Sequence, residues 1–166
     1  MSGEVLEPGA NRAVAVLFVC MGNICRSPTA EAMFRRLAPA LVPEISFEVD
    51  SAGTHGYHIG SPPDERSQRA AQRHGIDMSN LRARRIEAAD FEHFDWIVFM
   101  DERNRLDALP LAGSRSRARL VRLLDFAPEQ ALRDVPDPYY GEEADFARVA
   151  RLVETGVRGL LAALRG

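Results

Sequence analysis

The segment that most constrains this chain is an apolar run followed by the pattern Cys-x5-Arg-Ser-Pro. The run, VAVLFV at 14–19, has the apolar and β-branched composition of a buried strand. Proline suits the first turn of a helix and disfavours helical backbone in the residue before it, and serine is a preferred N-cap. We therefore predict a helix that begins at Ser27-Pro28, and a loop, 20–26, between the strand and that helix.

The loop 20–26 is predicted to bind an anion, because backbone N–H groups and the helix dipole favour negative charge at the amino end of a helix. Two anions suit it, a phosphate and the thiolate of Cys20, which is the reactive form of a cysteine. Arg26 carries a planar guanidinium that can hold two phosphate oxygens at once. Taken alone, Cys20 is as typical of a small apolar residue buried after a strand as of a nucleophile. Its position between strand, arginine and helix favours a nucleophile that attacks phosphorus.

The other loop residues form the predicted binding surface for the phosphate. Gly22 lets the backbone approach a ligand, and Asn23 tolerates a backbone conformation that most residues disfavour. The hydroxyl of Ser27 is expected to bond the sulfur of Cys20. The residues expected to contact substrate in this segment are Met21, Gly22, Asn23, Ile24, Cys25 and Ser27. The sequence lacks the glycine-rich fingerprints of nucleotide and dinucleotide sites.

Three further apolar or β-branched runs, 45–51, 96–100 and 119–124, are predicted strands. Segments with helical spacing alternate with the four runs. The predicted helices are one with a buried stripe at Ala30, Met33, Phe34 and Leu37, one from Pro62-Pro63 to His74-Gly75, a short one after Asp101, and one over about 141–164. Alternating strands and helices indicate a Rossmann-like, three-layer α/β/α fold with a four-stranded parallel sheet, whose ligands bind at the carboxyl ends of the strands.

Length and composition are those of one ordinary globular domain, predicted at 13–166, after a loose tail at 1–12. The net charge of -3 argues against nucleic-acid and anionic-membrane partners, because both need basic fields. The tail lacks the basic start and apolar stretch of a secretory signal, so we expect a cytoplasmic protein. Two cysteines are too few for a disulfide scaffold, and none of the four histidines forms with them the paired ligand motif of a zinc site. We expect neither metal nor cofactor.

Transfer of a phosphoryl group to sulfur requires a proton for the leaving oxygen. The candidate donor is Asp137, which lies between two prolines in the sequence VPDPYY at 135–140. Asp-Pro is also a common turn dipeptide, so the motif alone does not distinguish an acid from a turn. In combination with Cys20 and Arg26, it predicts a general acid that later acts as a base.

These motifs resemble those of the low-molecular-weight protein tyrosine phosphatases. The resemblance runs from residue 14 to the last predicted helix. Its most specific parts are VLFVCMGNICRSPTAE at 16–31 and DPYY at 137–140. Shorter segments that also resemble the family are DSAGT at 50–54, RHGI at 73–76 and FMDE at 99–102.

The resemblance implies a phosphocysteine intermediate without a metal, and phosphotyrosine-containing proteins as substrates. It assigns Cys20 as nucleophile, Arg26 as phosphate clamp and Asp137 as general acid. It also implies that Asn23 and Ser27 support the loop, that His74 bonds Asn23, and that Tyr57 and Tyr139 line the substrate cleft. The family pairs its two loop cysteines, which implies a redox-sensitive enzyme that forms a Cys20–Cys25 disulfide on oxidation.

Other substrates and roles remain open at this point. Arginine phosphatases resemble the same loop but carry threonine where this chain has Ile24, and a branched apolar residue suits the tyrosine-directed members. Related arsenate reductases relay oxidation through extra cysteines, and here Cys25 is the only other one. A cysteine phosphocarrier of similar architecture has no need of both Arg26 and Asp137. Hydrolysis of phosphotyrosine is therefore the favoured prediction.

Overall fold

The structure is a computed structural model that describes residues 12–166. The predicted tail, 1–12, lies outside the described residues except for Arg12. Four strands form one parallel sheet in the order β2-β1-β3-β4. The strands are β1 Val14–Cys20, β2 Phe47–Gly53, β3 Trp96–Phe99 and β4 Arg119–Arg122; the α-helices are α1 Arg26–Leu41, α2 Glu65–Gln72, α3 Ala88–His93, α4 Glu102–Ala108 and α5 Glu143–Arg165. The predicted α/β class with a four-stranded parallel sheet is confirmed.

Strand β1 lies in the interior of the sheet because its side chains are apolar on both faces. Val16 and Phe18 belong to the core cluster that also contains residues of α1 and α5. Leu17 and Val19 point to the opposite face, where they pack with residues from α3 and β3. Helices therefore cover both faces of the sheet, and the end of β1 lies at the centre of its carboxyl edge.

Element boundaries differ from the predictions by a few residues. β2 begins at Phe47 and continues to Gly53, and β3 ends at Phe99. β4 ends at Arg122, because the predicted continuation forms a short 3-10 helix, Leu123–Phe126, that packs against α5. The apolar run continues there because Leu123 and Leu124, which begin this turn, are fully buried. Helix α3 was not predicted, since six residues are too few to show a helical period.

Helix α5 is the longest element and crosses the sheet along α1 and α2. Its apolar face is buried from Phe146 to Leu161, whereas Leu164 is only partly buried. Gly159 allows α5 to approach the 3-10 helix closely, since a Cβ there would overlap the backbone oxygen of Phe126. No helix within residues 12–166 is long and apolar enough to cross a membrane.

Candidate active site

Cys20 is the last residue of β1, and its side chain is buried at the carboxyl edge of the sheet. Its Sγ lies 3.0 Å from the Oγ of Ser27, and the backbone N–H of Asn23 donates to the same sulfur at 3.3 Å. Ser27 Oγ already accepts a hydrogen bond from the Asn23 side chain, so its own hydrogen is available to the sulfur. Two hydrogen-bond donors therefore point at the sulfur of Cys20.

Helix α1 begins at Arg26, with Cys25 at the N-cap position, two residues earlier than predicted. Ser27 is therefore not the N-cap, and the prediction was wrong because its hydroxyl is engaged with Cys20 and Asn23 instead. No side chain caps the helix. Its first-turn N–H groups have no partner within the helix, which makes this end a place for an anion.

Asn23 adopts a left-handed backbone conformation, with φ of 59°. Its Nδ2 donates to the hydroxyls of Ser27 at 2.8 Å and Ser51 at 2.9 Å, and its Oδ1 accepts from the backbone N–H of Arg84 at 3.0 Å. The side chain thus connects the loop to β2 and to the segment before α3. The predicted role of Asn23 in supporting the loop agrees with these contacts.

His74 does not contact Asn23, so that predicted bond is wrong. Its Nδ1 lies 2.7 Å from Oε1 of Glu154, on α5. Both hydrogens of the Asn23 amide and its oxygen are already used by other groups. His74 therefore belongs to the packing of the α2 end against α5.

A buried carboxylate extends the network around Asn23, and the sequence did not point to it. Ser51 donates to Oε1 of Glu31 at 2.7 Å, and Arg35 donates twice to Oε2, at 3.0 and 2.8 Å. Because Glu31 accepts from Ser51, the serine oxygen is left as an acceptor for Asn23. This chain of bonds fixes the direction in which each hydroxyl points.

Arg26 is buried beside the sulfur. One terminal nitrogen donates to Oδ2 of Asp101 at 2.6 Å and to the backbone oxygen of Val135 at 2.9 Å, and the other lies 3.7 Å from Oδ2 of Asp137. Burial lowers the pKa of the guanidinium, but the negative charges of Cys20 and Asp101 outweigh it and raise the pKa. The group is therefore a permanent cation held in one orientation.

Asp101 was predicted only as the start of a helix, and it has a second use. It caps α4 by accepting from the backbone N–H of Asn104 at 2.7 Å, while its other oxygen holds Arg26. Its position two residues after the end of β3 was the available signal, because the carboxyl ends of parallel strands meet at one edge.

Cys25 differs from Cys20 in its surroundings. It packs with Ile24, Ala70 and Phe146, and burial raises its pKa to about 12, although a hydrogen bond with Ser67 opposes the rise. Cys25 is thus a neutral thiol near pH 7. Both cysteines are free in this structure.

A cavity of about 300 Å³ opens above Cys20. Its lining comprises Cys20, Met21, Gly22, Ile24, Cys25, Arg26, Tyr57, His58, Asp137, Tyr139 and Tyr140. Every predicted substrate contact is in this set except Asn23 and Ser27, which lie behind the lining. His58 and Tyr140 were not predicted from the sequence, although each is adjacent to a tyrosine that was.

Two loops form the sides of this cavity. Tyr57 stacks on His55, with ring centroids 5.4 Å apart and planes inclined by 13°. On the other side, the guanidinium carbon of Arg66 lies 5.6 Å from the centroid of the Tyr139 ring. The backbone N–H of Tyr139 donates to Oδ1 of Asp137 at 3.1 Å, which orients the carboxyl group toward the cavity side of its loop.

Gly53 allows β2 to pass directly beneath the loop. A Cβ at this position would lie 2.6 Å from the backbone oxygen of Met21. Gly53 is paired with Cys20 in the sheet, and the N–H of Thr54 donates to the Cys20 carbonyl at 3.0 Å. A larger residue at position 53 would therefore displace the loop that surrounds the sulfur.

The arrangement suits covalent chemistry on a phosphate. A sulfur nucleophile, a fixed cation and a carboxyl group border one cavity, with the open end of a helix beneath it. Among residues 12–166, no group of three or more histidine, cysteine or acidic side chains is arranged to hold a metal ion. An anion in this cavity would face the guanidinium of Arg26 and the free backbone N–H groups at the start of α1.

Comparison of the sequence with known proteins finds relatives that all belong to one family. Residues 15–166 match the family model described as low molecular weight phosphotyrosine protein phosphatase. The chain is 43% identical over 152 residues to YfkJ of Bacillus subtilis, a low molecular weight protein-tyrosine-phosphatase, covering 92% of this chain and 96% of that protein. It is 46% identical over 137 residues to the low molecular weight phosphotyrosine protein phosphatase of Homo sapiens, covering 81% and 85%.

Solved structures agree with the sequence matches. The crystal structure of YfkJ superposes with a TM-score of 0.86, covering 95% of this chain and 98% of that one. The crystal structure of DARP, a Drosophila arginine phosphatase, is 29% identical and superposes with a TM-score of 0.85, covering 91% and 98%. The chain belongs to the low molecular weight phosphotyrosine protein phosphatase family.

Proposed function

We propose that this protein hydrolyses phosphotyrosine in proteins through a phosphocysteine intermediate. The observation that carries the proposal is the placement of Cys20, Arg26 and Asp137 on one cavity, with the arginine 3.7 Å from the aspartate. Membership of the phosphatase family supports the same reaction.

In the first step, the thiolate of Cys20 attacks phosphorus and the bond between phosphorus and the phenolic oxygen breaks. Arg26 and the N–H groups at the start of α1 hold the oxygens of the transferred group as their charge shifts. Asp137 gives its proton to the leaving phenolate, so that tyrosine departs neutral.

In the second step, water attacks the phosphocysteine. The carboxylate of Asp137 accepts a proton from that water, the bond between phosphorus and sulfur breaks, and inorganic phosphate leaves. The thiolate is restored, and the hydrogen bonds from Ser27 and Asn23 favour it as a leaving group. No cofactor is needed for either step.

The depth of the cavity favours phosphotyrosine over phosphoserine. Cys20 is buried below aromatic side chains, so the phosphate of a short side chain reaches the sulfur only if its backbone enters the cavity. A phenyl ring instead fits between Tyr57 and Tyr139 and packs against their faces. Ile24 adds an apolar contact to the same lining.

Hydrolysis of phosphoarginine is the second candidate function. The Drosophila arginine phosphatase shares the fold over almost the whole chain. The side chain of phosphoarginine is also long enough to reach Cys20. The apolar Ile24, where the arginine-directed members are expected to carry threonine, favours tyrosine. Reduction of arsenate fits less well, since Cys25 is the only cysteine available for a relay.

Three matched peptides that carry phosphotyrosine, phosphoserine or phosphoarginine at one position test the proposal. We expect kcat/KM to be highest for phosphotyrosine and turnover to continue through many equivalents. Preference for phosphoarginine would transfer the assignment to the second candidate. Release of a single equivalent of product would instead indicate a phosphocarrier.

A further inference from the structure

Large exposed apolar side chains are concentrated around the cavity. Within the described residues, five such side chains are more than a third exposed, and four of them lie on the loops that form the cavity mouth. These four, which we call the rim, are Met21 at 40%, Tyr57 at 75%, Ile59 at 63% and Tyr140 at 96%. The fifth is Leu106, at 50%, on α4.

The loop that carries half of the rim is held in place by backbone bonds. Gly60 donates to the carbonyl of Ala83 at 2.9 Å, and Ser61 donates to the carbonyl of His58 at 2.9 Å. The Ile59 side chain packs over Gly56, whose added Cβ would lie 3.1 Å from Cδ1 of the isoleucine. Ile59 is therefore presented to solvent by an ordered turn.

The substrate must pass over this rim. When the phosphate of a phosphotyrosine reaches Cys20 and its ring lies between the cavity walls, its Cα is at the mouth. Each neighbouring residue of an extended segment then advances by about 3.3–3.6 Å, so the residues on either side cross the rim. Met21, Tyr57 and Tyr140 also line the cavity itself, so the rim is continuous with the phosphate site.

We infer that the rim binds large apolar side chains next to the phosphotyrosine of a protein substrate. The inference rests on the proposed function and narrows its substrate class. A second copy of the chain seated on the rim would cover the cavity, whereas a substrate segment uses cavity and rim together. Partial burial of the leucine side chains that flank the phosphotyrosine against Ile59 and its neighbours corresponds to a rate advantage of about tenfold.

The test compares two phosphotyrosine peptides of identical sequence except for the residues at positions −1 and +1, which are leucine in one and serine in the other. We expect kcat/KM to be about tenfold higher for the leucine peptide. Ile59→Ser should reduce this ratio to about threefold while leaving the turnover of para-nitrophenyl phosphate unchanged. Leu106→Ser removes the exposed apolar side chain outside the rim and should keep the full ratio.

Each result decides a separate point. Equal rates for the two peptides, with normal turnover of para-nitrophenyl phosphate, would show that the rim does not bind apolar side chains of the substrate. The proposed function would be unaffected. An unchanged ratio in Ile59→Ser would likewise overturn binding at the rim. Failure of the wild type on every phosphate ester would remove the proposed function and the rim with it. If the peptides react equally and Ile59→Ser abolishes a dimer seen by sedimentation, the rim binds a second copy instead.

Discussion

The floor and the walls of the cavity are built differently. The floor, formed by Cys20 and Arg26 with Asn23 and Ser27 directly behind them, is buried, and each of these side chains makes at least one hydrogen bond. The walls carry Tyr57 and Tyr140, which are largely exposed, and Asp137, whose side chain is 43% exposed. The same cavity thus has a rigid base and accessible sides.

We infer from this difference that the floor carries most of the reaction and that the walls mainly recognise the substrate. The floor is held by bonds that join distant parts of the chain, such as Asn23 to Ser51 and Arg26 to Asp101. It exists only when the sheet and the first helix are folded, so substitutions there should affect stability and rate together. The walls come from the loops 54–64 and 134–142, which contain neither strand nor helix. Changes there should affect rate or selectivity alone.

The largest effect is expected at the centre of the floor. Cys20→Ser replaces the thiolate with an alcohol that is protonated at neutral pH, and should lower kcat for an aryl phosphate by on the order of 10⁴-fold or more. Phosphate should still bind, because Arg26 and the N–H groups remain. Steady-state turnover and isothermal titration with inorganic phosphate check the two parts. A variant that keeps more than a trace of the wild-type rate would show that another group is the nucleophile.

The second effect tests the one wall residue assigned to the reaction. Asp137→Asn should slow hydrolysis of phenyl phosphate by about 10²-fold, and that of para-nitrophenyl phosphate much less, because only the more basic phenolate needs a proton. Thermal unfolding should be unchanged, since the side chain is half exposed. Equal losses on both substrates would contradict the role of general acid, and a large drop in Tm would contradict the division between floor and walls.

The third effect compares stability in the two regions. Asn23→Ala removes two buried side-chain donors and places alanine at a φ of 59°, so it should lower the free energy of unfolding by about 2–4 kcal/mol. We also expect kcat to fall by about tenfold as the bonds around Cys20 loosen. The matched wall variant, Tyr140→Ala, should lie within about 0.5 kcal/mol of the wild type. Urea denaturation measures the free energy of unfolding of both variants. Similar losses of stability in the two would contradict the difference between floor and walls.

The fold was predictable because its signals are local. The sequence alone shows the continuous apolar run of β1, which is buried on both faces, and the helical spacing of apolar residues along α5. The segment Leu123–Phe126 was not predictable in this way, because a buried 3-10 turn and a buried strand have the same composition. Its conformation is set by packing against α5, which no local pattern records.

The site was predictable where chemistry dictates residue type. A sulfur nucleophile, a guanidinium and a carboxylic acid have few substitutes, so Cys20, Arg26 and Asp137 could be selected from the sequence. Of the groups that orient them, Ser27 and Asn23 could also be selected, but the acidic ones could not. The carboxylates that act on the floor, Glu31 and Asp101, are ordinary helix residues in the sequence, and His74 was assigned by resemblance to a bond that its packing against α5 excludes.

The two cysteines of the loop extend the comparison to oxidation. Peroxide converts the Cys20 thiolate to a sulfenic acid, and attack by the Cys25 sulfur would form a disulfide and release water. Attack requires a thiolate, whereas burial raises the pKa of Cys25 to about 12. The predicted switch should therefore be slow near neutral pH. Each unit of pH below about 12 lowers the thiolate fraction of Cys25 about tenfold.

The smallest effect is accordingly a several-fold difference in recoverable activity that grows with pH. Wild type and Cys25→Ser are treated with peroxide at pH 7 and pH 9, then reduced with a thiol and assayed at one pH. At pH 7, both should lose much of their activity, because the sulfenic acid proceeds to sulfinic acid before Cys25 resolves it. At pH 9, the wild type should recover several-fold more than Cys25→Ser, since its resolving thiolate is then about a hundredfold more abundant. Equal recovery of the two proteins at both pH values would show that Cys25 packs beneath the loop without protecting Cys20.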